Sequence, residues 1–584
     1  MGRGKLKKKI DQIAQGLLDP RVHASFSRHG FRFDSERLIA TALLWGAVVV
    51  GLATVGDYGI TVDEWNADDY GPKGLAWYVS GFSDRAMFDD VEDTLWYYGP
   101  WFHMLTAFVQ SFETGEHWTV RHAMTFLAGV AGIAMLLPMA RLAIGHWSGL
   151  AAIVLCLTTG YLYGSIFFTP IDVPFLFAMT AATLAIVMMA QRTVPSWPAT
   201  ISAGLLTGLA IATRSSGIIT HAYLIGAMAL CALEAMLGDQ RSARRVLVQI
   251  GVRTLVAMLF AWLCAIALWP WLQIANPFTQ FTAAFVYFTN HPASWEFMHW
   301  GNVVRTNNLP WSYVPGQLAA RLPEGFLLLL ATGLVFGLVN ALRIVGSCRR
   351  AFTGRGMESL KPAAFIVAQS RQALVVWATA LLPAAFVMVQ GSTLYDGMRH
   401  VLFLIPILAV IASYGFVRLL PFLRRFPKVA AAAIGGYIGY QVYLLAALHP
   451  LEYIAFNSFA GGVHGAYQRF DMDYWAVGAT VALRRLEDRL DLEAPNRFKN
   501  DPPSLVICIA WREDMVESMY RRPWRLETDP DKADYVITTQ HMNCAENRHL
   551  VLIDEVRRFD RAFAWTYARQ PQEVVGPSET PPQR

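Results

Sequence analysis

The sequence predicts a polytopic α-helical membrane protein of about eleven transmembrane helices, with a small C-terminal α/β domain outside the cytoplasm. Three observations lead there. Of 584 residues, 54% are hydrophobic and 16% charged, with a mean hydropathy of +0.33, which is too apolar for an ordinary soluble protein and too long for one domain. The apolar residues gather in runs that can cross about 30 Å of hydrocarbon, roughly 20 residues each. From about Asp471 the composition turns charged and soluble.

The chain opens on a basic stretch, Met1-Gly2-Arg3-Gly4-Lys5-Leu6-Lys7-Lys8-Lys9, with no short apolar segment and small-residue cleavage site directly behind it. Residues 1–37 are therefore expected to form a cytoplasmic tail. Spans are expected near 38–56, 119–140, 148–168, 174–190, 198–213, 216–236, 246–270, 324–345, 372–390, 400–417 and 428–448. With the N-terminus inside, the inner loops hold Arg141, Arg192, Arg241-Arg244-Arg245, Arg343-Arg349-Arg350-Arg355-Lys361 and Arg418-Arg424-Arg425-Lys428, the asymmetry of the positive-inside rule. The net charge of +5 thus reports topology and excludes a nucleic-acid footprint, because the cations sit between apolar runs rather than on one face. An odd number of spans puts loops 57–118 and 271–323 and the C-terminus on the outer side of a plasma (inner) membrane.

These outer loops carry Trp65, Trp77, Trp96-Tyr97-Tyr98, Trp269, Trp271, Trp295, Trp300, Trp311 and Tyr313, which favour the headgroup level and predict short amphipathic helices along the membrane surface. Gly204 and Gly208, four apart in an apolar run, predict close helix packing. Past residue 470, strands are expected at 504–509, 535–539 and 550–554, with helical stretches at 475–493 and 512–520. Residues 471–570 then form the soluble domain, and the Pro-, Glu- and Ser-rich end, 571–584, is expected to be disordered. Cys508 and Cys544 both fall in this domain, where a disulfide can form. Cys156, Cys231 and Cys264 lie in apolar runs as packing residues. No CxxC or HExxH spacing supports a protein-built zinc site.

The polar residues that stand out fall at one end of their spans. Asp63 and Glu64, in Thr61-Val62-Asp63-Glu64-Trp65-Asn66-Ala67-Asp68-Asp69-Tyr70-Gly71, follow the first span. Acidic side chains are costly in lipid and face water or a cavity, and adjacent positions point in different directions, so one carboxylate can face a reaction centre while its neighbour holds the loop. Asp172 lies in Thr169-Pro170-Ile171-Asp172-Val173-Pro174, Arg214 precedes Ser215-Ser216, and Tyr395-Asp396-Gly397-Met398-Arg399-His400 precedes the tenth span. Taken one at a time, Asp172 can cap a helix, Arg214 can snorkel, and Asp396 can simply pair with Arg399. Together, a carboxylate pair and several cations suit a substrate with a phosphate at the lipid surface and a hydroxyl to be activated.

Over roughly residues 38–475 the chain resembles the GT-C superfamily of polyprenyl-phosphate-sugar-dependent glycosyltransferases. It is similar in particular to bacterial members of glycosyltransferase family 39, the protein mannosyltransferases and aminoarabinose transferases. The resemblance rests on Asp63-Glu64, on Phe167-Phe168-Thr169-Pro170-Ile171-Asp172-Val173-Pro174-Phe175, on Tyr395 to His400, and on His449-Pro450-Leu451-Glu452-Tyr453-Ile454-Ala455-Phe456-Asn457 through Gly461-Gly462, Gly465-Ala466-Tyr467 and Asp473-Tyr474-Trp475. It implies that Asp63 is the catalytic base with Glu64 its neighbour, and that Asp172, Arg214, Tyr395, Asp396, Arg399 and His400 bind substrate. The implied reaction is an inverting transfer from a polyprenyl-phosphate sugar to a lipid, glycan or protein acceptor, without metal or cofactor. Thr169 and Ile171 stand where relatives often have Asn and Lys, which leaves Arg214, Arg399 and His400 as the cations for the donor phosphate. Asp68-Asp69 would be the place for a carboxylate-bound cation, as in oligosaccharyltransferases, were a metal used. The competing classes are a transporter, which would place ionisable groups near the midplane and often shows repeats, and a noncatalytic lipid-linked-sugar binding protein.

Overall fold

The structure, a computed structural model, describes residues 34–89, 94–112, 116–237, 240–291, 293–353, 361–509, 515, 517–546 and 549–569. Residues 1–33 of the expected tail, much of the expected helix at 512–520 and the tail 571–584 lie outside the described residues.

The protein is a multi-pass, mainly helical membrane protein. Among the described residues, nine helices are long and apolar enough to cross a bilayer, the first over Ser35–Asp57 and the last over Pro427–Leu448. Two of the eleven expected spans depart from that standard. The third is broken into Ser148–Leu157 and Gly160–Phe168, bent by 71°. The hydroxyls of Thr158 and Thr159 at the break donate back to Val154 O and Leu155 O at 2.7 Å each, the side-chain competition that bends helices. The fifth is the 17-residue helix Trp197–Thr213, shorter than a full span. It packs against Gln240–Leu268, and a Cβ on Gly204 or Gly208 would come within 2.5 and 2.3 Å of Ala257 O and Ala261 O, so the two glycines do let backbones approach closely.

In the stretches 57–118 and 271–323 the helices include Val62–Val79, Trp101–Gln110, Pro277–Thr289 and Tyr313–Arg321. Unforeseen is a hairpin of β1 (Glu296–His299) and β2 (Asn302–Arg305), with His299 opposite Asn302. Its two turn residues, Trp300 and Gly301, have φ of 53° and 78°, as a two-residue hairpin turn that matches strand twist requires.

The chain divides into two compact units, one comprising the residues up to Gly56 with Asn66–Asp471, the other Asp57–Trp65 with the residues from Met472 on. The smaller unit is a five-stranded sheet in the order β4-β3-β5-β7-β6, where β3 is Ser504–Cys508, β4 Arg525–Leu526, β5 Tyr535–Thr539, β6 Leu550–Arg558 and β7 Arg561–Arg569. Strand β3 runs parallel to β4 and β5, while β7 pairs antiparallel with β5 and β6. The helix Val477–Glu493 packs on this sheet. Sequence reading missed β7, whose Ala562 and Ala564 are weak strand formers. Cys508, at the end of β3, is disulfide-bonded to Cys544 with Cα atoms 6.1 Å apart.

Candidate functional site

Asp63 and Glu64 belong to the smaller unit, and the other six candidates to the larger. In the smaller unit the stretch Thr61-Val62-Asp63-Glu64 starts the helix Val62–Val79 as a capping box. Glu64 N–H donates to Thr61 Oγ1 at 3.2 Å, and Thr61 N–H donates back to Glu64 Oε2 at 3.1 Å. Glu64 is fully buried, whereas Asp63 is half-buried. Glu64 thus holds the helix start, with Asp63 half-buried beside it. The T-x-x-E spacing announces this arrangement in the sequence.

In the larger unit Asp172 is the first residue of the helix Asp172–Met189, and Arg214 ends the helix Trp197–Thr213. The two are ion-paired, both well enclosed. The Arg214 guanidinium also lies 5.6 Å from the Tyr98 ring centroid and 5.8 Å from that of Phe175, within cation–π range. Trp101 Nε1 donates to Thr213 Oγ1 at 2.8 Å, tying the helix that follows Tyr98 to the end of the Arg214 helix.

Arg399 and His400 fall in a 3₁₀ turn, Arg399–Val401, ahead of the span Leu404–Leu423. Arg399 Nε lies 3.3 Å from Asp396 Oδ2, and its guanidinium 4.9 Å from the Tyr395 ring centroid. Tyr395 in turn meets His400 edge-on at 4.5 Å and Trp295 at 4.8 Å. Burial, then Arg399 and Arg214, hold His400 well below the ordinary histidine value of 6.5. The same three causes lower His291, in the loop after Pro277–Thr289. The His291 ring lies 6.0 Å from that of Tyr395, and both arginines act on both imidazoles, so the two ion pairs lie near one another.

The structure therefore brings together Asp172, Arg214, Tyr395, Asp396, Arg399 and His400, and adds His291, Tyr98 and Trp295. His400, expected among the cations for the donor phosphate, is held toward its neutral form, by its burial first and then by Arg399 and Arg214. Each arginine already has a carboxylate, so the four charged groups sum to zero. Placed between two such pairs, an anion meets N–H donors fixed in advance.

Asp68 and Asp69 are engaged elsewhere. Asp68 Oδ1 lies 2.6 Å from both Arg121 Nη2 and His117 Nε2, and Asp69 pairs with Lys73 at 2.7 Å. Burial alone would raise the Asp68 carboxyl, but His117 and Arg121 bring it below the usual value. Among the described residues the one group with metal-ligand spacing is Asp34, Glu36 and His146. There Arg141 Nη1 lies 2.7 Å from Asp34 and 3.1 Å from Glu36, and Glu36 Oε1 accepts from Gly149 N–H at 3.0 Å. These contacts account for the carboxylates as a helix-end clamp.

No protein-family model matches the chain, and no curated protein does. Among solved structures it is similar to ArnT from Cupriavidus metallidurans in the apo state, with 13% identity, 92% of this chain and 99% of that one covered, and a TM-score of 0.41. It is similar to the same protein bound to undecaprenyl phosphate at 12% identity, with 93% and 100% covered and a TM-score of 0.42. It is similar, too, to the archaeal oligosaccharyltransferase AglB from Archaeoglobus fulgidus in complex with an inhibitory peptide and a dolichol-phosphate, at 13% identity, with 86% and 70% covered and a TM-score of 0.42.

Proposed function

We propose that the protein is a membrane glycosyltransferase that moves a sugar from a polyprenyl-phosphate donor to an acceptor hydroxyl at the outer face of the membrane, with inversion and without a metal. The observation that carries this reading is the pair of arginines, Arg214 and Arg399, each fixed by its own carboxylate beside two neutral imidazoles. Such a cluster suits a phosphodiester at a lipid surface, where N–H donors are wanted and free charge is costly.

In the proposed step the general base, assigned to Asp63 by the family resemblance and not by the geometry of the arginine cluster, accepts the proton of the acceptor hydroxyl as its oxygen bonds to the anomeric carbon. The anomeric bond to the phosphate oxygen breaks, and the electron pair leaves with the polyprenyl phosphate. Its charge rises from about −1 toward −2, and Arg214 and Arg399 stabilise the increase. The phosphate is a good leaving group, so no general acid is needed. Glu64, occupied in the capping box, is a poor second candidate for the base.

The test is mass spectrometry of lipid and glycan products after the purified protein is incubated with a panel of polyprenyl-phosphate sugars and hydroxyl acceptors. Release of the polyprenyl phosphate with the sugar on an acceptor is expected. Donor binding without turnover across the panel would replace the enzyme with a lipid-linked-sugar binding protein.

A further inference from the structure

The turn that carries Asp396 and Arg399 is supported from a distance. Asp396 and Gly397 are consecutive residues at positive φ, 55° and 69°, a conformation that residues other than glycine adopt rarely. Tyr313 Oη donates to Gly397 O at 2.5 Å, and Met398 N–H donates to Tyr161 Oη at 3.1 Å. Behind them the Arg321 guanidinium lies 4.4 Å from the Tyr161 ring centroid and 4.2 Å from that of Phe456. It donates to Gln317 Oε1 at 3.0 Å, Tyr453 O at 3.0 Å and Asp471 O at 3.3 Å.

A Cβ on Gly397 would lie 3.1 Å from Arg321 Nη2 and 3.3 Å from Tyr161 Oη, so the guanidinium and the phenol abut the turn directly. Tyr161, Tyr313 and Arg321 are all fully enclosed, and a buried arginine is tolerated only when its donors are used. Here they are used on backbone and side-chain oxygens from three separate stretches of chain. Tyr161 and Tyr313 are 152 positions apart in sequence, yet they bond successive residues of one turn.

The geometry points to Tyr313, Tyr161 and Arg321 as positioning residues for the proposed transfer: they fix the Asp396–Arg399 turn so that the Arg399 guanidinium is presented to the donor phosphate. The inference rests on the assignment of Arg399 to that phosphate. None of the three touches the reacting atoms; each acts through the backbone that carries Arg399. A merely structural role would lower stability and leave phosphate binding by the folded fraction unchanged, whereas a positioning role is coupled to Arg399 itself.

The experiment measures binding of undecaprenyl phosphate to the full chain in detergent, on monodisperse protein, for wild type, Tyr313→Phe, Arg399→Ala and the double variant. Tyr313→Phe removes one hydroxyl and keeps the ring. It is expected to weaken binding about tenfold, the scale of one lost buried hydrogen bond, and to have no further effect once Arg399 is alanine. Wild-type binding by Tyr313→Phe, or an undiminished tenfold loss on top of Arg399→Ala, overturns the inference while leaving Arg399 in the site. Wild-type binding by Arg399→Ala removes the phosphate assignment itself, and the inference with it. If Tyr313→Phe does not purify as a single species, Tyr161→Phe, which removes the acceptor for Met398 N–H, carries the same expectations.

Discussion

Asp172 and Arg214, 42 positions apart, close an ion pair between the start of one membrane helix and the end of the next. Neither charge is left to lipid. The pair converts two costly buried ions into one neutral group that still offers the remaining guanidinium N–H donors.

The Asp172 pair predicts an asymmetry between single and double substitutions. Arg214→Leu takes the guanidinium away from a buried carboxylate and is expected to cost about 3–5 kcal/mol, whereas Arg214→Leu with Asp172→Leu recovers most of that loss. Activity is expected to be lost in both. Thermal unfolding followed by size-exclusion chromatography, beside a transfer assay, checks each part; a double variant no more stable than the single one would show that the pair is not the source of the cost.

For His400 the sign follows from its lowered pKa. The folded group stays neutral below the ordinary value of 6.5, while the unfolded group takes up a proton there, so stability falls as pH drops from 6.5 toward the lowered value. His400→Gln, which cannot titrate, is expected to lose less stability than wild type between pH 7 and pH 5. If His400 serves the proposed donor site as a neutral N–H donor, His400→Gln should also bind donor better than His400→Leu. Melting curves at the two pH values and a donor titration at pH 7 measure both.

Asp63 and Glu64 are expected to separate cleanly. Asp63→Asn keeps size and hydrogen bonding but accepts no proton, and transfer should fall about 10²–10⁴-fold with little change in melting temperature. Glu64→Gln should cost about 0.5–2 kcal/mol in stability through the weakened cap and leave the rate per folded molecule near wild type. Single-turnover rates and thermal melts of the two variants, side by side, decide which carboxylate is chemical.

The disulfide of the smaller unit closes a loop of 36 residues between Cys508 and Cys544. Replacing both with serine is expected to lower that unit's stability by about 2–4 kcal/mol. Hydrogen exchange across residues 504–569 of the full chain reports it directly, with faster exchange in β3 and β5 as the expected result. Unchanged protection would show that the bridge constrains nothing in the folded unit.

Most of the membrane architecture was legible because a bilayer imposes one requirement, a long apolar run, and that requirement is local in sequence. The bend at Thr158-Thr159 was less so: it needs two hydroxyls turned back on their own helix, a rotamer choice that hydropathy does not register. The capping box was written plainly in Thr61 and Glu64, at the spacing of three that the motif requires. Arg321 was invisible. Nothing near Pro323 tells a reader that its guanidinium reaches Tyr453 O, 132 positions away, because partners at that separation are chosen by the tertiary fold. His400 was visible as a residue, but what lowers its pKa was not: its burial first, then Arg399 beside it and Arg214 from another stretch of chain.

On the proposed function, the cancelling charges of Asp172, Arg214, Asp396 and Arg399 bear on how a polyprenyl-phosphate donor would arrive. A cluster with no net charge projects little field beyond its own contacts, so it does not draw anions from a distance as a cationic cleft would. For a donor held in the bilayer by its polyprenyl chain, encounter is then a two-dimensional search along the leaflet, and its rate is set by lipid mobility and local donor density. Capture should vary with membrane fluidity and be nearly indifferent to the salt in the surrounding water.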